Sequence, residues 1–103
     1  MSNKGQHVIS ADGTKIWAQA AGNPSKPAVV FIHGFSCSTL NFGKQFSDPT
    51  LLENLYLLRY DVRGHGRSEQ PLEAKDYESL RHAEDFKAVI DAFGVRKPFV
   101  AGW

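Results

Sequence analysis

Several protein classes are excluded by what this sequence lacks. It contains one cysteine, so no internal disulfide forms and an oxidising compartment is not implied. Its longest uninterrupted apolar run, Ala28 to Ile32, falls far short of the ~20 residues that span a bilayer. Met1 to Ser10 are polar and carry no apolar core of a secretory signal. Charge of one sign is missing too. Lys and Arg number 12 against 11 Asp and Glu, a formal net charge of +1, which supplies no field for nucleic acid or an anionic membrane. The default expectation is a soluble cytoplasmic protein.

What is present reads as a folded core. Hydrophobic residues make up 42% and charged residues 22% of 103 positions, close to globular norms and unlike a disordered or low-complexity chain. At ~150 residues per domain the length allows at most one domain.

Asp12-Gly13 is a strong tight-turn signal between two strand-like segments, His7 to Ser10 and Thr14 to Ala20. Ile16 and Ala18 share one face of the second, while Lys15, Trp17 and Gln19 share the other. Gly22-Asn23-Pro24 and Pro27 form a loop. Ala28 to Ile32 and Leu55 to Tyr60 read as strands of a covered parallel sheet. Helical pieces are expected over 39–55, with Asp48-Pro49 an N-cap and first-position pair. Residues 63–77 form a long polar loop. Leu80, Ala83, Phe86, Ile90 and Phe93 then recur at helical spacing, closed by Gly94 and Pro98. A third apolar strand starts at Pro98. The order hairpin, β, α, β, α, β predicts an α/β fold.

In such folds, ligands bind outside the carboxyl ends of the strands. Phosphate cradles fit poorly there. Gly64-His65-Gly66-Arg67-Ser68-Glu69 lacks the third glycine of a dinucleotide fingerprint, and Gly43-Lys44 lacks the flanks of a P-loop. The four histidines and single cysteine show no metal-ligand spacing. Acyl transfer fits better. A strand running into His33-Gly34 leaves the N–H of Phe35 available to a developing oxyanion.

Three segments together resemble the N-terminal part of an α/β-hydrolase-fold enzyme. They are His33-Gly34-Phe35 after one apolar strand, Asp61-x-Arg63-Gly64-His65-Gly66-x-Ser68 after the next, and Val100-Ala101-Gly102-Trp103. The last matches the first half of the family's nucleophile elbow, G-x-S-x-G. The resemblance implies that the Phe35 backbone N–H forms half of an oxyanion hole, shaped by His33, Gly34 and Ser36. It implies that Asp61, Arg63, Gly64, His65 and Gly66 build a structural turn, and that Gly102 and Trp103 lead into the nucleophile.

The resemblance implies further that a serine nucleophile directly follows Trp103 and that the triad acid and histidine follow much later. The complete protein would then hydrolyse ester-like small-molecule substrates without a cofactor or metal, and the 103-residue chain alone would be inactive. Epoxide hydrolases and dehalogenases of the family use an aspartate nucleophile and often carry proline where Ser36 stands, so Ser36 favours serine. A perhydrolase-like or C–C-cleaving specificity stays open. The alternative is a non-catalytic binding or interaction protein derived from a hydrolase.

Other candidates have simpler readings. His33 is a strand-end residue holding its loop by hydrogen bonds, and His65 sits in a turn. Cys37 has no identifiable partner to activate it, and Ser36 and Ser38 are loop residues. Asp61 with Arg63 reads as a local ion pair or turn bond. Phe31, Phe86, Phe93 and Phe99 are core positions, whereas Phe35 and Phe42 are candidates for lining the pocket. The last strand is an apolar sheet edge, so the isolated chain is expected to self-associate through it.

Overall fold

The computed structural model describes residues 5–33 and 43–102. Strands β1 (Gly5–Ile9) and β2 (Lys15–Gly22) form the antiparallel hairpin, with Val8 opposite Ile16. Gly13 takes φ 90° in the connecting turn, and the Asp12 carboxylate accepts the Thr14 N–H at 3.0 Å. β2 runs two residues beyond the expected Ala20, because Ala21 and Gly22 pair with Leu57 and Tyr56. Gly22 has φ 95°, and a Cβ there would meet the Leu55 carbonyl oxygen at 2.3 Å. Only glycine fits that approach.

β3 (Ala28–Ile32), β4 (Tyr56–Tyr60) and β5 (Phe99–Gly102) complete a five-stranded sheet in the order β1-β2-β4-β3-β5. β3 is parallel to both β4 and β5, but β2 joins β4 antiparallel. The sheet is therefore mixed, with the hairpin continuing the parallel part instead of standing apart from it.

The chain moves from β3 outward to β4, then back past β3 to β5. Crossovers of one hand in opposite directions put their helices on opposite faces, and the core divides accordingly. Helices α1 (Gly43–Ser47) and α2 (Pro49–Asn54) cover Ala21 and Leu57, with Phe46 buried between them and Leu51, Leu52 and Leu55 packed alongside. Asp48 caps α2, accepting the Thr50 N–H at 2.9 Å. Helix α3 (Ser79–Ala92) covers the other face, where Val89 meets Val8, Ile16, Ala18, Val30, Leu58 and Tyr60. Burial raises the Tyr60 phenol well above its ordinary range, with the Asp85 carboxylate adding to the effect, so it stays neutral.

Two sequence expectations need correction. The buried stripe of α3 is centred on Asp85 and Val89, with Phe86, Ile90 and Phe93 half-buried beside it. Leu80 is 63% exposed and Ala83 is exposed too. The helix is rotated because the Asp85 carboxylate is drawn inward to Arg63 at 2.7 Å. Phe99 is not a core residue: it is 69% exposed, and Val100 is 55% exposed. β5 is an edge strand whose only neighbour among the described residues is β3. The polar loop is also more ordered than expected, holding a 3-10 turn at Ala74–Tyr77.

Leu58 is fully buried, so Leu58→Ala is expected to destabilise by about 2–5 kcal/mol. Asp48→Ala, which removes only a cap, is expected to cost about 1 kcal/mol. Urea denaturation followed by circular dichroism measures both, and comparable losses would contradict this placement of the core.

Candidate functional site

The carboxyl edge of the parallel strands is where the sequence motifs meet. β3 runs into His33, which is buried. Its Nε2 accepts the Val62 N–H at 2.8 Å. An accepting Nε2 is unprotonated, so His33 is the neutral tautomer with its proton on Nδ1. The ring meets His65 edge-on with centroids 5.2 Å apart. His65 donates in turn from Nδ1 to the Arg63 carbonyl oxygen at 3.1 Å. Each imidazole thus has one ring nitrogen bonded to the backbone of the turn after β4.

The turn from Asp61 to Ser68 is built on glycine. Gly64 has φ 83°, and a Cβ there would come within 2.8 Å of the Tyr77 ring. Gly66 has φ 51°, and its Cβ would lie 2.5 Å from the Asp61 carboxylate. Asp61, 1% exposed, accepts the Arg67 N–H at 2.9 Å. The Ser68 hydroxyl donates to the Asp61 carbonyl oxygen and accepts the Trp17 N–H. The Asp61 N–H reaches the Trp17 carbonyl at 2.9 Å. The turn is thereby sewn to β2 as well as to β4, and the Arg67 guanidinium lies 4.4 Å over the Trp17 ring.

Arg63 corrects the expectation of a local pair with Asp61. It is fully buried, and all its donors point elsewhere. Nε and Nη2 bind the two Asp85 oxygens at 2.7 and 2.6 Å. Nη1 and Nη2 bind the two Asp12 oxygens at 2.9 and 3.2 Å. Nη1 also donates to the Asp76 carbonyl at 2.6 Å. These five bonds exhaust the five N–H donors of a guanidinium. Hydrogen bonds from Arg63 hold the Asp12 carboxyl well below the usual carboxylate range, and the Asp85 bonds raise Arg63 further above its already high value. Asp61 keeps the turn-bond half of the expectation.

Sequence reasoning missed Asp12 and Asp85 as partners of this turn. Asp12 has a sufficient local explanation as part of a turn signal. Asp85, a carboxylate four residues from Val89 on the inner face of α3, was the available clue.

Gly102 pairs with Ile32 across β3 and β5, one strand spacing of ~4.8 Å away, so β5 ends at the same edge at which β3 runs into His33. Gly34, Phe35, Ser36 and Trp103, with Cys37, Ser38 and Phe42, lie outside the described residues. Among the described residues no group of three or more His, Cys, Asp or Glu gathers to hold a metal.

Comparison with known proteins agrees with this geometry. A family model described as the alpha/beta hydrolase fold matches residues 27–103. "Probable oxidoreductase EphD" of Mycobacterium tuberculosis is 38% identical over 91 residues, 88% of this chain and 15% of that protein. "Bifunctional esterase/perhydrolase DCH" of Acinetobacter calcoaceticus is 31% identical over 90 residues, 87% of this chain and 32% of that protein. The crystal structure of a "putative aryl esterase" from Burkholderia cenocepacia superposes with TM-score 0.90 at 40% identity, covering 97% of this chain and 37% of that one. A methylesterase and an epoxide hydrolase are further relatives. The chain spans between 15% and 37% of the length of the three relatives described first.

Arg63→Met removes the cation that both carboxylates grip, leaving only the half-exposed Arg81 at 4.0 Å from Asp12, and is expected to cost about 3–5 kcal/mol, enough to unfold the chain by circular dichroism at 25 °C. Asp12→Asn is milder and tests the pH dependence. The folded-state value of Asp12 is depressed, so its contribution is complete above about pH 5 and is lost as pH falls below the ordinary carboxylate range. The Asp12→Asn variant should therefore lose less stability on acidification than the parent, and parallel acid limbs for the two would contradict the assignment.

Proposed function

The chain belongs to the α/β-hydrolase fold family, and on that premise we propose that it forms the N-terminal part of a serine hydrolase acting on small ester-like carbonyl substrates. The observation that carries this reading is the pairing of Ile32 with Gly102 between parallel neighbours. It brings the end of β3, from which His33 and the proposed oxyanion loop depart, to the same sheet edge as Gly102, where the proposed elbow lead-in begins. In this reading a nucleophile directly after Trp103 and the Phe35 N–H serve the same tetrahedral intermediate.

In this reading Phe35 contributes one backbone donor, aimed at charge that develops only in the transition state. Such a donor typically contributes about 3–4 kcal/mol. The nucleophilic serine, the histidine that takes its proton and the acid that orients the histidine lie beyond Trp103. His33 and His65 are positioning residues, since their rings are engaged in holding the loop and the turn. The chemistry needs no cofactor. The 103-residue polypeptide alone is inactive in this account, and its exposed β5 edge, with Phe99 and Val100 uncovered, pairs with another copy when nothing else covers it.

Ester chemistry is supported by the aryl esterase and esterase/perhydrolase relatives. The epoxide hydrolase relative supports a second reading, in which an aspartate occupies the nucleophile position. Ser36, where that subgroup often carries proline, favours the first.

Reading the coding sequence past the Trp103 codon separates these. Ser-x-Gly is expected, Asp there would select the second reading, and a stop codon in a stably expressed gene would favour the non-catalytic alternative. A fluorophosphonate probe should label no serine of the 103-residue chain, and one serine, directly after Trp103, in a chain extended to the length of the relatives. Specific labelling of the short chain would overturn the assignment.

A further inference from the structure

The amino edge of the sheet carries a concave site, at the end opposite the candidate catalytic edge. A cleft of about 380 Å³ opens between the starts of β3 and β4 and the segment joining α3 to β5. Ala28 and Tyr56 open those two strands, so five residues at ~3.3 Å each put the cleft roughly 16 Å from the His33 edge. An occupant here does not reach the reacting centre.

The lining of the cleft is chemically one-sided. Lys26, Arg96 and Lys97 contribute three cations, and no acidic residue lines it. None of the three forms a salt bridge or side-chain hydrogen bond among the described residues. In a chain with 12 basic and 11 acidic side chains, three unneutralised cations around one cleft are a local excess. They raise the potential inside it, because concave walls of low dielectric focus field lines.

A simpler role would be to cap the C-terminus of α3. The backbone has already done much of that. Gly94 turns with φ 69°, the Val95 N–H closes on the Ile90 carbonyl at 2.9 Å, and the Gly94 N–H closes on that of Asp91 at 3.2 Å. This is the closure of a helix end by a left-handed glycine, and it leaves the cations free for other partners. The rest of the lining combines two aromatic side chains, Tyr56 and Phe93, with Pro24, Ala28 and Val95. Burial pushes the Tyr56 phenol above its ordinary value, so it stays a neutral hydrogen-bond donor.

We infer that this cleft binds a small organic anion with a flat apolar body, its carboxylate or phosphate meeting Lys26, Arg96 and Lys97 and its body lying against Tyr56 and Phe93. The planar fork of Arg96 suits either head group. The volume suits one small ligand and falls within the range of ordinary ligand pockets. The site is independent of the proposed hydrolase chemistry.

Phenyl phosphate and benzoate are the probes, with benzyl alcohol as the neutral control, titrated calorimetrically against the 103-residue chain at low salt. One-to-one binding of at least one anion is expected, with none of the alcohol. Arg96→Gln with Lys97→Gln should weaken binding about tenfold or more, and Tyr56→Phe by less. All three side chains are at least partly exposed, so unchanged circular dichroism is expected to show that the variants fold. Binding that survives the double substitution, equal binding of the alcohol, or no binding of either anion at millimolar concentration would overturn the inference. If both anions bind, the stronger identifies the head group.

Discussion

A guanidinium removed from water depends on its partners, and here the partners come from across the chain. Arg63 is separated by 51 residues from Asp12 and by 22 from Asp85, yet both carboxylates grip it through two oxygens each. Taking three charges out of solvent costs several kcal/mol per ion, and their attraction offsets this only when geometry is good and every donor is used. Both conditions hold at Arg63. What the cluster adds is specificity: the hairpin turn, the turn after β4, the 3-10 segment and α3 have one mutual arrangement in which the cation is satisfied. Asp12 shows how the burden is shared, its backbone exposed in the turn and its side chain folded inward to 15% exposure.

The consequence reaches the candidate active edge in two short steps. Val62 precedes Arg63, and its N–H is the bond that fixes His33 at the end of β3. His65 follows two residues after Arg63 and packs its ring edge-on against His33. Anchoring Arg63 therefore anchors the residue from which the proposed oxyanion loop departs. The same cation rotates α3 so that Asp85 and Val89 face inward, and α3 leads through Gly94 to β5. Both segments that flank the proposed reacting centre thus trace back to one buried side chain. The neutral form of His33 belongs to the same arrangement, because protonating Nε2 would remove the acceptor for the Val62 N–H.

Much of this was legible in the residues. Asp12-Gly13, Asp48-Pro49 and Gly94 each mark a local backbone requirement, and each sits at the turn, cap or helix end it announces. The apolar run Ala28 to Ile32 is β3, residue for residue. Local signals carry no information about long-range pairing, and there the reading stopped. Nothing in β2 says that it joins β4 antiparallel. Phe99 is apolar like any core residue, and only its place at the sheet edge leaves it exposed. The ion cluster was illegible for the same reason: Asp12 and Asp85 have good local explanations, as a turn former and as a polar residue on a helix, and their common partner appears only after folding. At the site, the strand ends and the glycine turn were found from sequence, while the side chains that hold them in place were not.

The claim that Arg63 fixes the turn is tested most directly by native-state amide hydrogen exchange at residues 61–68, read against β3 and β4. Surface loops without regular structure ordinarily exchange through small local openings, far faster than core strands. If the buried cluster holds this turn, the amides of Val62, Arg67 and Ser68 exchange as slowly as those of Val30 and Leu58, through the same global opening. Rapid exchange at those three positions, with the strands still protected, would contradict it.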